Sequence, residues 1–188
     1  GEVKELLDSL LAQTVKPFEL LIIEDGSKER SDHLLDRYRS SFTIHYYYKP
    51  NSGRSDTRNY GMERATGDYF VILDSDCLIP EDYFITLYGI IQKDDAPDAI
   101  SGPDRAHHSF TDVQKAINYS MTSFLTTGGI RGGKVQMEKF VPRSFNMGYS
   151  RKVWEKIGGF REMFSEDIDM STRVREAGFS IQLIRDAY

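Results

Sequence analysis

With 188 residues, 39% of them apolar, the chain suits one domain, or one with a small added lobe, and can bury a substantial core. A net charge of −5 argues against a general nucleic-acid partner, which normally meets a basic excess. Cys77, the single cysteine, excludes an intrachain disulfide and fits a reducing compartment, and no apolar run approaches the roughly 18 residues that span a bilayer.

Val3, Leu6, Leu7, Leu10 and Leu11 recur at helical spacing, so an amphipathic helix opens the chain. Phe18–Glu24 is an almost continuous apolar run, the mark of a strand covered on both faces, and Asp25-Gly26-Ser27 breaks it. A polar helix over Asp32–Arg39 and a β-rich run over Phe42–Tyr48 follow. Ser55–Thr66 reads as a helix stopped by Gly67, and Tyr69–Leu73 as a strand ending on Asp74-Ser75-Asp76. Pro80, Glu81 and Asp82 start a helix running to about Gln92.

Strands and helices alternate to this point with short connections, which predicts right-handed crossovers and a mostly parallel sheet flanked by helices. Ligands of such sheets bind beyond the carboxyl ends of the strands. The clusters Glu24-Asp25 and Asp74-Ser75-Asp76 are therefore expected along one crevice. Further on, Asp98–Ser101 fits a strand, Asp112–Leu125 a helix and Arg151–Ile157 a short helix. Gly128, Gly129, Gly132 and Gly133 flank Arg131. Ser165 is placed to cap a helix running to Ala177, with Gly178 as its stop and Phe179–Ile184 as a last strand.

Asp74-Ser75-Asp76 is the strongest local signal. Carboxylates at i and i+2 past a buried strand can place one oxygen on a hard divalent cation and leave the other for a ribose hydroxyl. Mg2+ or Mn2+ held by one or two carboxylates plus substrate phosphates suits a diphosphate. An isolated pair of this kind is more often a solvated turn; its place at a strand end, with the other motifs, favours the metal. Asp25 can accept from a base imide while Gly26 allows close backbone approach, although a plain strand-ending turn explains both. Glu166-Asp167 falls in a first helical turn, where the dipole favours the ionised form that a general base needs. Acids there are also routine helix-start chemistry. Asn51, Gly53, Arg58 and Asn59 form a polar helix entry suited to a diphosphate or simply to capping. His107-His108 reads as a solvated loop pair, and Trp154 as core.

In this order the pieces resemble the inverting family 2 glycosyltransferases of GT-A fold. The resemblance is carried by IIEDGS (Ile22–Ser27), NSGRSDTRNYG (Asn51–Gly61), GDYFVILDSDC (Gly67–Cys77), FNMGYSRKVWEKIGGF (Phe145–Phe160) and SEDIDMSTRVREAGF (Ser165–Phe179). It implies one α/β catalytic domain, with residues 1–100 as the nucleotide-sugar half and 101–188 as the acceptor half. It also implies a nucleotide-sugar donor, often a UDP-sugar, transfer with inversion to a saccharide or lipid-linked saccharide, and dependence on Mn2+ or Mg2+. By position, Glu24, Asp25, Asn51, Arg58, Asp74 and Asp76 serve the donor. Asp25 meets the base, Arg58 lies near the nucleotide, Asp74 faces the ribose and Asp76 holds the metal. Asp167 is the implied general base and Glu166 orients the acceptor. Cell-envelope polysaccharide synthesis in the cytoplasm, with peripheral attachment of a longer protein to the membrane, completes the implied setting.

Glu24 stands where the family often has Asp, and Thr57 where it often has Ala. The family also begins with a central apolar strand ahead of the first helix and often adds a metal-ligating His beyond the last strand. Here neither is expected within the 188 residues, so the chain reads as part of a longer protein. The alternatives are an inactive nucleotide-sugar-binding domain, which need not keep a base, and a nucleotidyltransferase, which usually opens on a glycine-rich phosphate loop.

Overall fold

A computed structural model of the chain describes residues 1–16, 18–103, 110–123 and 146–187. Helix α1 (Glu2–Leu11) buries Leu7 and Leu10 of the predicted stripe. Strand β1 (Glu19–Asp25), a 3-10 helix (Asp32–Arg37) and strand β2 (Thr43–Lys49) follow. Next come α2 (Arg54–Arg64), β3 (Tyr69–Leu73), α3 (Tyr83–Ile91) and β4 (Ala99–Ser101). Helix α4 (Asp112–Thr122) opens on a capping box between Thr111 and Gln114. Strand β5 (Asn146–Ser150) then runs directly into α5 (Arg151–Ile157), and α6 (Glu166–Glu176) and β6 (Ile181–Leu183) close the order. The predicted His107-His108 loop, the Arg131 stretch and Leu125 lie outside the described residues.

Strands β1 and β2 pair in parallel from Glu19 opposite Thr43 to Asp25 opposite Lys49. The other sheet runs β3-β5-β4-β6. Both β3 and β4 are antiparallel to β5, and β6 is parallel to β4, so β5 alone runs against its three companions. This strand is one that periodicity does not reveal. Its sequence, NMGYS, has no β-branched residue, and the single alternation of Met147 and Tyr149 is too short to mark a strand. Neighbours on both sides decide it: Met147 and Tyr149 are fully buried, and a Cβ at Gly148 would stand 2.9 Å from the Phe70 carbonyl oxygen.

Two apolar cores result. One joins α1, β2 and α3 through Leu7, Leu10, Ile44, Phe84 and Leu87; the other joins β3, β5, α5 and α6 through Phe70, Tyr149, Val153, Met170 and Val174. Trp154 packs edge-on to Phe70 beside the second core, as its helical spacing predicts. Strands β1 and β3 are not bonded to each other; a cavity of about 890 Å3 lies between them, lined by Leu20, Ile22, Val71 and Leu73 and roofed by α1. The central strand of the resemblance has no counterpart among the described residues. At the carboxyl ends of the flanking strands this cavity reaches Glu24, Asp25, Arg58 and Asp74.

Candidate active site

Asp25 is the last residue of β1, and the parallel register sets Lys49, the last of β2, beside it. The Lys49 ammonium donates to Asp25 Oδ1 and also contacts Ser52 and Asp56. The N–H of Ser52 reaches Asp25 Oδ1 at 2.9 Å, and that of Gly53 reaches Oδ2 at 2.9 Å. Asn51 Nδ2 donates to the Asp25 carbonyl at 3.0 Å and to Oδ2 at 3.3 Å. Burial opposes ionisation of Asp25, but Lys49 and the two N–H donors outweigh it and bring the pKa down to about 2. A carboxylate offers about four lone-pair sites, and this one spends them holding the loop that starts α2. The sequence points to Asp25 and Asn51 as separate donor-side residues and not as partners; Lys49 and Ser52 go unnoticed there, because only the strand register brings Lys49 alongside.

Glu24 behaves differently. One oxygen, Oε1, accepts from Ser31 N at 2.6 Å and Ser31 Oγ at 2.5 Å. Its other oxygen, Oε2, is buried and closes no hydrogen bond, although burial and the nearby Glu24 carboxylate push the Tyr46 hydroxyl up. A buried carboxylate oxygen left this way costs stability unless something completes it.

Asp74 follows β3 directly, and its carbonyl accepts from Cys77 N, closing the turn that carries the exposed Asp76. Arg58, one turn into α2, joins this strand end to the last third of the chain. Its Nη2 lies 3.4 Å from Asp74 Oδ1, and its Nη1 lies 2.8 Å from Glu166 Oε1. Glu166, with a side chain only 3% exposed, takes a second cation, Arg54, at 3.2 Å. The Arg58 guanidinium rests over the Phe160 ring, 5.3 Å from its centroid.

Glu166 and Asp167 are both buried in the first turn of α6, where three acids face the positive end of the helix. Asp167 Oδ1 accepts from Ile168 N at 2.9 Å. Ser165 is the N-cap residue as expected, but its hydroxyl makes no cap bond. It adopts φ 61°, the only non-glycine residue with positive φ among those described. Such backbone costs on the order of 1 kcal/mol or more and is held by its surroundings. Strain therefore sits immediately ahead of the two acids.

Arg58 thus brings Asp74 and Glu166 together, and the start of α2 also holds Asp25. Asp76 stands free of those contacts in the exposed turn. Among the described residues no three His, Cys, Asp or Glu side chains converge as a ready cation cage. Asp74, with its side chain 42% exposed, and the exposed Asp76 fit a cation that takes its other ligands from phosphate and water.

Residues 1–158 match the family described as Glycosyl transferase family 2. The chain belongs to that family. A glucosyl-dolichyl phosphate glucuronosyltransferase of Haloferax volcanii is 27% identical over 184 residues, 95% of this chain and 57% of that protein. Glycosyltransferase GlyA of Streptococcus pneumoniae is 32% identical over 113 residues, 60% of this chain and 16% of that protein. This family 2 chain therefore spans well under two thirds of the length of such relatives. Its fold is shared with S. aureus TarS in complex with UDP, at TM-score 0.73 and 18% identity over 98% of this chain and 54% of TarS. The mannosyltransferase PcManGT of Pyrobaculum calidifontis, in complex with GDP-Man and Mn2+, gives 0.72 and 17% over 98% of this chain and 51% of the other. The α/β fold of this glycosyltransferase domain is of the GT-A type. No described helix is long and apolar enough to cross a membrane.

Proposed function

We propose that this domain moves a sugar from a nucleoside-diphosphate donor, a UDP-sugar, to the hydroxyl of a saccharide or lipid-linked saccharide, with inversion. The observation that carries the reading is the Arg58 bridge, which sets the strand-end acid Asp74 and the helix acid Glu166 against one guanidinium. Donor and acceptor machinery then meet at one guanidinium. The donor class is supported by TarS and PcManGT, whose complexes hold UDP and GDP-Man.

Glu24 takes the base imide, because its Oε2 is the buried oxygen still lacking a partner, while Asp25 and Asn51 fix the loop beneath the nucleotide. Asp74 receives a ribose hydroxyl. Asp76, with Asp74 beside it, holds Mn2+ or Mg2+, which when bound neutralises charge on the departing diphosphate. Arg58 adds a fixed positive charge close to that group. On the opposite side Asp167, in the first turn of α6, accepts the proton of the acceptor hydroxyl while Glu166 orients the acceptor. The acceptor oxygen bonds to the anomeric carbon as the carbon–phosphate oxygen bond breaks on the far face, which inverts the centre.

Asp167→Asn in the full-length protein tests this. Transfer is expected to fall about 100- to 10,000-fold, the usual cost of losing a general base, with Mn2+-dependent UDP binding unchanged. Wild-type turnover by the variant removes Asp167 from the mechanism. Absence of turnover in the unmodified protein across broad donor and acceptor panels instead marks an inactive nucleotide-sugar-binding domain.

A further inference from the structure

The segment ahead of α6 is gripped from two sides. On one side, Asn59 of α2 makes a reciprocal pair with Phe160 across 101 residues of chain: Nδ2 donates to the Phe160 carbonyl at 2.8 Å, and Phe160 N donates to Oδ1 at 2.8 Å. One turn earlier on α2, Ser55 Oγ donates to the Arg161 carbonyl at 3.0 Å. On the other side, Arg173 of α6 donates to the carbonyls of Ile157 and Gly159, both at 2.8 Å, and is itself held by Asp169 at 2.7 Å. A Cβ on Gly159 would stand 2.0 Å from Asn59 Oδ1, so the close approach depends on glycine. Phe160, whose backbone the clamp holds, is also the ring on which Arg58 rests.

We propose that Asn59 is a positioning residue for transfer: its carboxamide fixes the turn that delivers Glu166 and Asp167 to the crevice. The inference rests on the reading of Asp167 as the base. Both backbone groups of Phe160 are bonded to one side chain, so neither can slide without breaking the other. The clamp is next in sequence to Arg58, so donor-side and acceptor-side chemistry are referenced to the same turn of α2. Both ends of the Asn59 carboxamide are spent on Phe160, and Asn59 does not line the cavity. Its loss lets the base drift, and a displacement of about 1 Å can cost on the order of 100-fold in rate.

The test uses the full-length protein and the nucleotide sugar that supports its turnover, with nucleoside-diphosphate release as the readout. Asn59→Ala is expected to lower kcat 10- to 100-fold per folded molecule, with donor KM and the Mn2+–UDP melting shift within two-fold of wild type. Hydrogen exchange should accelerate across residues 159–169 and stay unchanged across β3. Gly159→Ala, which presses on the clamp from the other partner, should lower kcat likewise. It keeps the test valid should Asn59→Ala fold poorly. Because both changes break one contact, the double variant should be no slower than Asn59→Ala. Wild-type kcat for Asn59→Ala or Gly159→Ala, or multiplicative losses in the pair, overturns the clamp while Asp167→Asn remains inactive. If instead Asp167→Asn turns over normally, the base assignment fails, and the clamp loses its purpose with it.

Discussion

Arg58 meets Glu166 at 2.8 Å although 108 positions of chain separate them. Both side chains are nearly closed to water, with 11% and 3% exposed. Pairs of this kind are rarely a large net source of stability, but breaking one leaves an uncompensated charge behind. Arg58 is therefore better understood as a fixed electrostatic post between Asp74 and Glu166 than as a stabilising salt bridge.

Arg58→Ala follows from that. Only Arg54, two-thirds exposed, would remain beside the buried Glu166. A loss of about 3–4 kcal/mol in urea-unfolding stability is expected, the lower part of the range for a broken buried pair. Combining it with Glu166→Gln should return part of that loss, because the stranded charge is gone. Equal stability of single and double variants counts against the bridge.

The acid limb of stability should carry the signature of Asp25. Its folded pKa of about 2 lies below the ordinary 3.8, so the contribution is complete above pH 4 and disappears as pH falls toward 2. The scale is on the order of 1 kcal/mol after allowance for solvent screening. Asp25→Asn should be less stable at pH 7 and show a shallower loss between pH 4 and 2. A parallel curve for the two proteins would place the pH dependence elsewhere.

Base contact by Glu24 predicts a nucleotide effect with little structural cost. Glu24→Gln retains an oxygen for Ser31 but loses the second charged acceptor. UDP affinity, measured by calorimetry, should fall about 10- to 100-fold, the usual range for a hydrogen bond to a charged group. Unchanged UDP affinity reassigns the base site.

Thermal shifts can locate the cation. UDP with Mn2+ at about 100 times Kd contributes about 2.7 kcal/mol, or roughly 5–10 °C for a domain of this size. Asp76→Ala should erase the manganese-dependent part of that shift and leave the melting temperature of the free protein within about a degree, since Asp76 is exposed. A shift that survives the substitution sends the metal to other ligands.

Local chemistry decided much of this protein before any packing was known. The apolar run of β3 has the predicted limits Tyr69–Leu73, α5 has the predicted limits Arg151–Ile157, and Gly178 stops α6 with φ 82°. Strand burial, helical period and the left-handed freedom of glycine are properties of short segments, so short segments reveal them. The ordered motifs likewise placed acids at two strand ends and one helix start. What each acid does was decided only by the folded chain. Asp25 is spent on Lys49 and the α2 loop while Glu24 keeps a buried oxygen unpaired, and nothing in the string EDGS tells the two carboxylates apart. Strand β5 and the Asn59–Phe160 clamp belong to the same class. Both depend on partners distant in the chain, β3 and β4 for the strand and a residue 101 positions away for the clamp, and a hydrogen bond across such a separation leaves no periodic trace in either segment.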